Sequence, residues 1–298
     1  MKIIADSSTT RTEWVLVDGD RVVEQAFTSG LNPYFQSRRE ISHSIRLELP
    51  ESFFRRRWDH VHFYGAGCGP ADKSKIISSS LVAQFKTPVT VESDLLGAAR
   101  GLLVREPGLA CILGTGSNSC YYNGSEIVQN VRPLGFILGD EGSNAYMGKR
   151  FIADALKGIA PAQLTKAFFE HFAVTPNVLV DEVYSSPMPS RALARYSRFL
   201  AEHTDNPYVY QLIYAAFMRF FTRNIAAYDF HDMPLCFVGS TCVVYRDILE
   251  RAAADFGVSI AKAVRSSIPG LVEYHATEKY PPSPSTKQAT PLRPGAEG

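Results

Sequence analysis

Apolar residues along this chain fall alternately into short runs and into helical spacing, and the alternation restarts once. Lys2–Ala5 is a short apolar run of the kind a buried strand presents. Trp14–Val17 and Arg21–Ala26 read as two further strands, joined by Asp18-Gly19, a strong hairpin turn. A helical pattern follows around Ser37–Leu49. Next come a strand at Val61–Tyr64, a helix near Ala71–Phe85 and a strand at Val89–Val91. A helix from about Asp94 to Val104 closes the first half, and Pro107-Gly108 punctuates. Ala110–Leu113 then reads as a strand again. Ser119–Tyr122 and Glu126–Gln129 are two more, joined by Asn123-Gly124. A mainly helical stretch runs from about Asn144 to Asp229, in which Val209, Leu212, Ile213, Ala216, Phe217, Phe220 and Ile225 recur at helical spacing. Leu235–Val238 is a late strand, Val244–Phe256 a helix and Val258–Ile260 a short strand.

Both halves therefore open with three strands whose last pair is a D-G or N-G hairpin. Gly19 and Gly124 lie 105 residues apart, and at the same offset Thr10 falls on Thr115. Each half thus has a polar Gly/Ser/Thr turn between its first two strands, in register, which is the mark of an internal duplication. The expected organisation is a first α/β lobe over 1–108 and a second over 109–275 carrying a helical insertion. The cleft between them is expected to hold something anionic. Residues 276–298 contain Pro281, Pro282, Pro284, Pro291 and Pro294 and almost no large aliphatic side chain. Such a segment cannot offset its ordering entropy, and a disordered tail is predicted.

Composition narrows the function classes. The chain has 298 residues, long enough for two domains, and Lys+Arg 31 against Asp+Glu 30 leaves a net charge of +1. A phosphate-driven nucleic-acid binder would show a basic excess, so no nucleic-acid partner is expected. No apolar run approaches the roughly 20 residues of a membrane helix, and Asp6 comes too early for a signal peptide, so a cytoplasmic protein without a membrane partner is expected. Cys68, Cys111, Cys120, Cys236 and Cys242 form no C-x-x-C pair and read as buried, reduced thiols.

Five segments carry candidate chemistry. Asp6-Ser7-Ser8-Thr9-Thr10-Arg11-Thr12 offers backbone amides and hydroxyls to phosphate oxygens, and Asp6 could hold Mg²⁺ through water, although taken alone the segment reads first as an ordinary Ser/Thr-rich hairpin loop. Gly114-Thr115-Gly116-Ser117 permits close backbone approach to a ligand or is simply a tight turn, and Ser119 stands where a dinucleotide fingerprint needs its third glycine. Asp140-Glu141 lies between glycines. Asp140 could bind polyol hydroxyls, and Glu141 could equally be a helix-start acid. Glu92-Ser93-Asp94 closes a strand and opens an apolar helix, so Asp94 is either a first-turn acid or a general base for a substrate hydroxyl. Gly239-Ser240 ends a late strand, where a flat ring or phosphate could approach backbone. Gly142 to Lys149 has the wrong length for a phosphate-binding P-loop and is followed by Arg150. No nucleophile elbow and no H-E-x-x-H is present, and His60 and His62 alternate along a strand as packing histidines.

In this order the segments resemble the sugar kinase/Hsp70/actin-type ATPases, and within them the N-acetylglucosamine kinase-like members of the BadF/BadG/BcrA/BcrD ATPase family. The resemblance covers about residues 1–275. The family's first loop reads like D-S-G-S-T-K-T-x-W. Asp6 to Trp14 match it except that Ser8 replaces the glycine, Thr9 the serine and Arg11 the lysine. Gly30-Leu31-Asn32-Pro33 looks like the family's sugar-contacting G-x-N-P. Tyr64 to Cys68, Glu92 to Arg100, Leu113 to Ser117 and Leu138 to Ser143 match closely, and Gly239-Ser240 falls where two glycines are common. The resemblance implies an α/β fold of two duplicated ribonuclease H-like lobes, the actin-like ATPase fold, with an interlobe cleft. It implies ATP and Mg²⁺ as cofactors. Asp6, Thr9, Thr10, Thr12, Gly114, Thr115, Gly116, Ser117, Gly239 and Ser240 would bind the nucleotide, with Asp6 on the metal. Asn32, Asp94 and Asp140 would hold the sugar, and Asp94 would be the catalytic base. The implied activity is phosphorylation of an amino sugar, N-acetylglucosamine first, in a cytoplasmic homodimer. A non-catalytic sugar or nucleotide sensor and a dehydratase-type activator ATPase are the alternatives.

Overall fold

The computed structural model describes residues 1–55, 57–229 and 231–276. The first half comprises β1 (Lys2–Ser7), β2 (Arg11–Asp18), β3 (Arg21–Ser29), α1 (Arg38–Glu48), β4 (Val61–Gly65), α2 (Ala71–Phe85), β5 (Val89–Ser93) and α3 (Asp94–Leu103). In the second half β6 (Pro107–Leu113), β7 (Ser117–Asn123) and β8 (Ile127–Val131) are followed by helices α4 (Gly135–Leu138), α5 (Asn144–Leu156), α6 (Ala162–Phe172), α7 (Pro176–Ser185), α8 (Pro189–Tyr196), α9 (Arg198–Ala201) and α10 (Pro207–Arg223). The chain ends with β9 (Leu235–Val238), α11 (Ser240–Val244), α12 (Arg246–Phe256), β10 (Ile260–Val264) and α13 (Ile268–Ala276).

The duplication read from the two hairpins extends to whole sheets. One is ordered β3-β2-β1-β4-β5 and the other β8-β7-β6-β9-β10. In both, the first three strands run antiparallel and the last two add in parallel to the first. These are the two ribonuclease H-like lobes of the actin-like ATPase fold. Local chemistry sets the elements. Ser37 and Glu40 form a capping box that starts α1, and Asn206 with Pro207 starts α10. Val209, Ile213, Ala216, Phe217 and Phe220 turn to the core of the second lobe, whereas Ile225 follows in a short 3₁₀ turn.

The outer face of the first sheet packs on α1 and α2 through Ile3, Trp14, Ile41, Ile45, Phe63, Ile77 and Leu81. The inner faces are covered by exchange. Leu95, Ala98, Ala99 and Leu102 of α3 pack on Ala110, Cys120, Tyr122, Cys236 and Val238 of the second sheet. Ile268, Leu271 and Val272 of α13 pack on Ile4, Val15, Val17 and Tyr64 of the first. The two helices touch backbone to backbone. A Cβ built on Gly270 would lie 1.9 Å from the Gly101 carbonyl oxygen, so only glycine fits the crossing.

Four sequence expectations are corrected. Pro107-Gly108 is not a break but the start of β6, where a proline without an N–H is tolerated. The helix expected at Val244–Phe256 is α12 and starts two residues later, at Arg246; the short helix α11, ending at Val244 ahead of Tyr245, was not expected. The last strand lies at Ile260–Val264 rather than Val258–Ile260. Ala276, assigned to the tail, is the last residue of α13, a helix the sequence reading lacked. The rest of the proline-rich segment, 277–298, lies outside the described residues.

Candidate active site

Asp6 sits near the end of β1, on the inner face, directly opposite Glu13 of β2. Burial pushes its carboxyl up to about 7, the charges of Asp94 and Glu13 add to the rise, and a hydrogen bond donated by the Ser267 hydroxyl opposes it. Asp94 is the first residue of α3. The helix cap is Ser93, whose hydroxyl accepts the Leu96 N–H at 3.2 Å. Asp94 Oδ1 accepts the Leu95 N–H at 2.9 Å, and no other residue among those described bonds its carboxylate. Burial lifts Asp94 to about 6. A half-buried carboxylate with a free oxygen and a raised pKa is the environment in which a general base works near neutral pH.

The loop after β4 links Asp94 to Asn32. Asn32 is buried; its Oδ1 accepts the Tyr34 N–H at 3.0 Å and its N–H donates to Gln36 Oε1 at 2.8 Å. A Cβ on Gly67 would lie 2.8 Å from Asn32 Oδ1. The next residue, Cys68, is buried within electrostatic reach of Asp94, which helps to push its thiol up to about 12 after burial itself. Asn32 Nδ2 has no partner among the described residues and remains a donor. One continuous patch of the first lobe thus joins Asn32, Asp94, Asp6 and Glu13.

The polar turn between β1 and β2 is more closed than its sequence implies. Ser8 Oγ accepts the N–H groups of Thr10 at 3.3 Å and Arg11 at 3.2 Å, and lies 3.2 Å from Thr10 Oγ1. Thr9 and Thr10 are half-exposed, but Thr12 is fully buried. The Thr12 hydroxyl bonds Ser7 Oγ at 2.7 Å and the Ser29 carbonyl at 3.1 Å, so it braces the loop from beneath and is not free to meet a nucleotide. Gly30 supports the same turn, since a Cβ there would lie 2.4 Å from the Ser8 carbonyl oxygen.

In the second lobe the turn between β6 and β7 gathers Gly114, Thr115, Gly116, Ser117, Asp140, Gly239 and Ser240. The Gly114 carbonyl accepts the Asn144 N–H at 2.9 Å and the Thr241 hydroxyl at 3.2 Å, and the Thr115 carbonyl accepts the Ala145 N–H at 3.1 Å. The start of α5 therefore holds this loop. Gly116 faces the Asp140 carboxylate, which would lie 3.1 Å from a Cβ, and Asp140 Oδ1 accepts the Ser117 N–H at 3.3 Å. Burial lifts Asp140 to about 6. Glu141 pairs with Arg223 of α10 at 3.1 Å, a tie between loop and helix rather than a helix-start role. Gly239 has φ 129 and a Cβ there would lie 2.2 Å from the Leu113 carbonyl oxygen, so the β9–α11 turn presses against the loop only as glycine. Ser240 opens α11.

Three partners of this site were absent from the sequence reading: Glu13, Ser266 and Ser267. Ser266 Oγ donates to Glu13 Oε2 at 2.8 Å, and Ser267 bonds Asp6. Glu13 carried one signal, a charge between the buried Thr12 and Trp14 of a core strand. The serines carried none. Among the described residues no three His, Cys, Asp or Glu side chains close on one point as a metal cage; the fit to a hard divalent cation rests on Asp6, an oxygen donor whose charge is destabilised by burial and by the nearby Asp94 and Glu13 and which a water-coordinated cation would balance.

No family model and no curated protein matches the chain. Solved structures do. A candidate N-acetylglucosamine kinase from Porphyromonas gingivalis is 40% identical, with TM-score 0.89, over 93% of this chain and 99% of its own. A second candidate N-acetylglucosamine kinase, from Chromobacterium violaceum, is 17% identical with TM-score 0.71, over 92% and 98%. A ROK family glucokinase from Streptomyces griseus, solved with glucose and AMPPNP, shares the fold at 14% identity and TM-score 0.56, over 92% and 97%.

Proposed function

The chain belongs to the N-acetylglucosamine kinase-like sugar kinases, and from that premise we propose that it transfers the terminal phosphoryl group of ATP to a hydroxyl of an amino sugar, N-acetylglucosamine first. The observation that carries the reading is the placing of Asp94. Its carboxylate has a free oxygen and a pKa raised to about 6, beside Asp6 and beside the loop that touches Asn32.

Phosphoryl transfer asks for positioning, charge balance on the phosphates and a base at the acceptor oxygen. Asn32 Nδ2 and Asp140 orient sugar hydroxyls. Asp94 accepts the proton of the attacking hydroxyl. The amides of Thr9, Thr115 and Gly116 would face the phosphates, and Gly239 and Ser240 would bound the nucleoside end. Asp6 would hold Mg²⁺, with Glu13 beside it; the ion would balance the charge developing on the phosphoryl oxygens. The test is ADP release from Mg·ATP with a panel of hexoses and N-acetylhexosamines. Turnover with N-acetylglucosamine above the sugar-free rate is expected, and folded protein with no sugar-stimulated turnover overturns the proposal. Asp94→Asn should lose about 10²–10⁴-fold in kcat while sugar affinity persists; comparable turnover in the variant refutes the base role.

The occupied amides of the first turn favour a second reading, a sugar or nucleotide sensor without turnover. Sugar binding by calorimetry with no ADP release supports it over the kinase.

A further inference from the structure

The chain crosses from the second lobe to the first at 265–267, between β10 on the second sheet and α13 on the inner face of the first. That crossing delivers two adjacent hydroxyls to two adjacent carboxylates. Ser266 Oγ donates to Glu13 Oε2 at 2.8 Å and also accepts the Ile268 N–H at 3.1 Å, so part of its role is to start α13. Ser267 has no such second duty. It is fully buried, and its hydroxyl goes to Asp6 Oδ2. Its backbone is fixed on both sides: its carbonyl accepts the Leu271 N–H at 3.0 Å, and the Gly101 backbone passes so closely that a Cβ on Gly101 would lie 2.6 Å from the Ser267 carbonyl oxygen. A donor held this firmly selects one orientation of the Asp6 carboxylate and leaves the other oxygen unclaimed by it.

We propose that Ser267 is a positioning residue for Mg·ATP, acting through Asp6, so that nucleotide affinity on the first lobe depends on a hydroxyl supplied where the chain arrives from the second. The role given to Asp6 rests on the kinase reading; the dependence on Ser267 is tested by binding, without sugar or turnover.

The experiment is titration of a fluorescent ATP analogue into wild type, Ser267→Ala, Asp6→Asn and the double variant, with Mg²⁺ and with EDTA, alongside thermal melts. Ser267→Ala should weaken Mg-nucleotide binding about tenfold, the scale of a lost hydrogen bond to a charged group. Binding in EDTA should be unchanged, and Ser267→Ala should add nothing in the Asp6→Asn background. If the alanine variant fails to fold, Ser267→Cys keeps the volume while donating weakly, and should show the same metal-dependent loss. Equal weakening with and without Mg²⁺, additive effects of the two substitutions, or wild type that binds no Mg-nucleotide overturns the proposal. Wild type that binds Mg-nucleotide with these dependences but phosphorylates no sugar leaves Ser267 in place and removes only the kinase reading.

Discussion

At the scale of single residues, the hydroxyl of Ser8 accepts the amides of Thr10 and Arg11, two donors that the proposed kinase would otherwise offer to a phosphate. Ser8→Gly frees both donors and removes a side chain from the approach to the backbone. It should lower the KM for Mg·ATP about threefold or more with kcat retained, on the scale of one exposed hydrogen bond. An unchanged or higher KM would mean that the hydroxyl itself helps to hold the nucleotide. Acid–base behaviour follows from burial. Asp94 must be ionised to take a proton, so kcat/KM should fall as pH drops through about 6, where Asp94 and Asp140 both titrate. The sign for stability is opposite. A carboxyl raised from 3.8 to about 6 by folding binds its proton more tightly in the folded protein, so its contribution to stability declines from about pH 4 to 6 and stays low above. Asp94→Asn, which removes that half-buried charge, should keep or raise the melting temperature at pH 7.5 while turnover collapses. Motifs made the glycine loops, Asp94 and Asp140 legible in the sequence. Ser267 was not legible, because a serine after a strand has no pattern until α13 brings it to Asp6.

At the scale of elements, the crossing of α3 and α13 has no room for a side chain. Gly270→Ala forces a Cβ onto the Gly101 carbonyl. Overpacking of this kind costs about 1–3 kcal/mol and should lower the melting temperature by several degrees. Gly69→Ala, with nothing near its Cβ position, is the control and should not. The elements with strong local chemistry were the legible ones: the D-G and N-G hairpins, and α1 and α10 with their caps. Those hidden from the sequence share a reason. Pro269 and Gly270 read as helix breakers, yet proline is tolerated in the first turn of α13 and glycine is required at its crossing. Lys262 interrupts the apolar run of β10, and only the fold supplies its partner, the Leu102 carbonyl at 3.3 Å. Tyr245 parts α11 from α12 because its buried hydroxyl reaches the Ser197 carbonyl at 3.2 Å, a contact invisible to periodicity.

At the scale of the molecule, on the kinase reading, a net charge of +1 and a site of amides, hydroxyls and carboxylates would leave nucleotide capture independent of any basic surface. The KM for Mg·ATP should therefore change less than about twofold between about 50 and about 300 mM salt, which screens long-range attraction; a steep rise would reveal a basic patch at work. The architecture itself was legible because duplication repeats the same signals twice. The exchange of α3 and α13 between the sheets was not, since α13 covers Ile4, Val15 and Val17 from more than 250 positions away and α3 reaches Cys236 and Val238 across more than 130. That exchange imposes an order on synthesis. Ile4, Val15 and Val17 leave the ribosome about 250 residues ahead of Ile268, Leu271 and Val272, which cover them. At about 5–20 residues per second, the inner face of the first sheet waits roughly 10–50 s for its cover. Every nascent chain passes through that interval with an apolar face open to chaperones and to its neighbours, and a message truncated before α13 makes a first lobe that never leaves it.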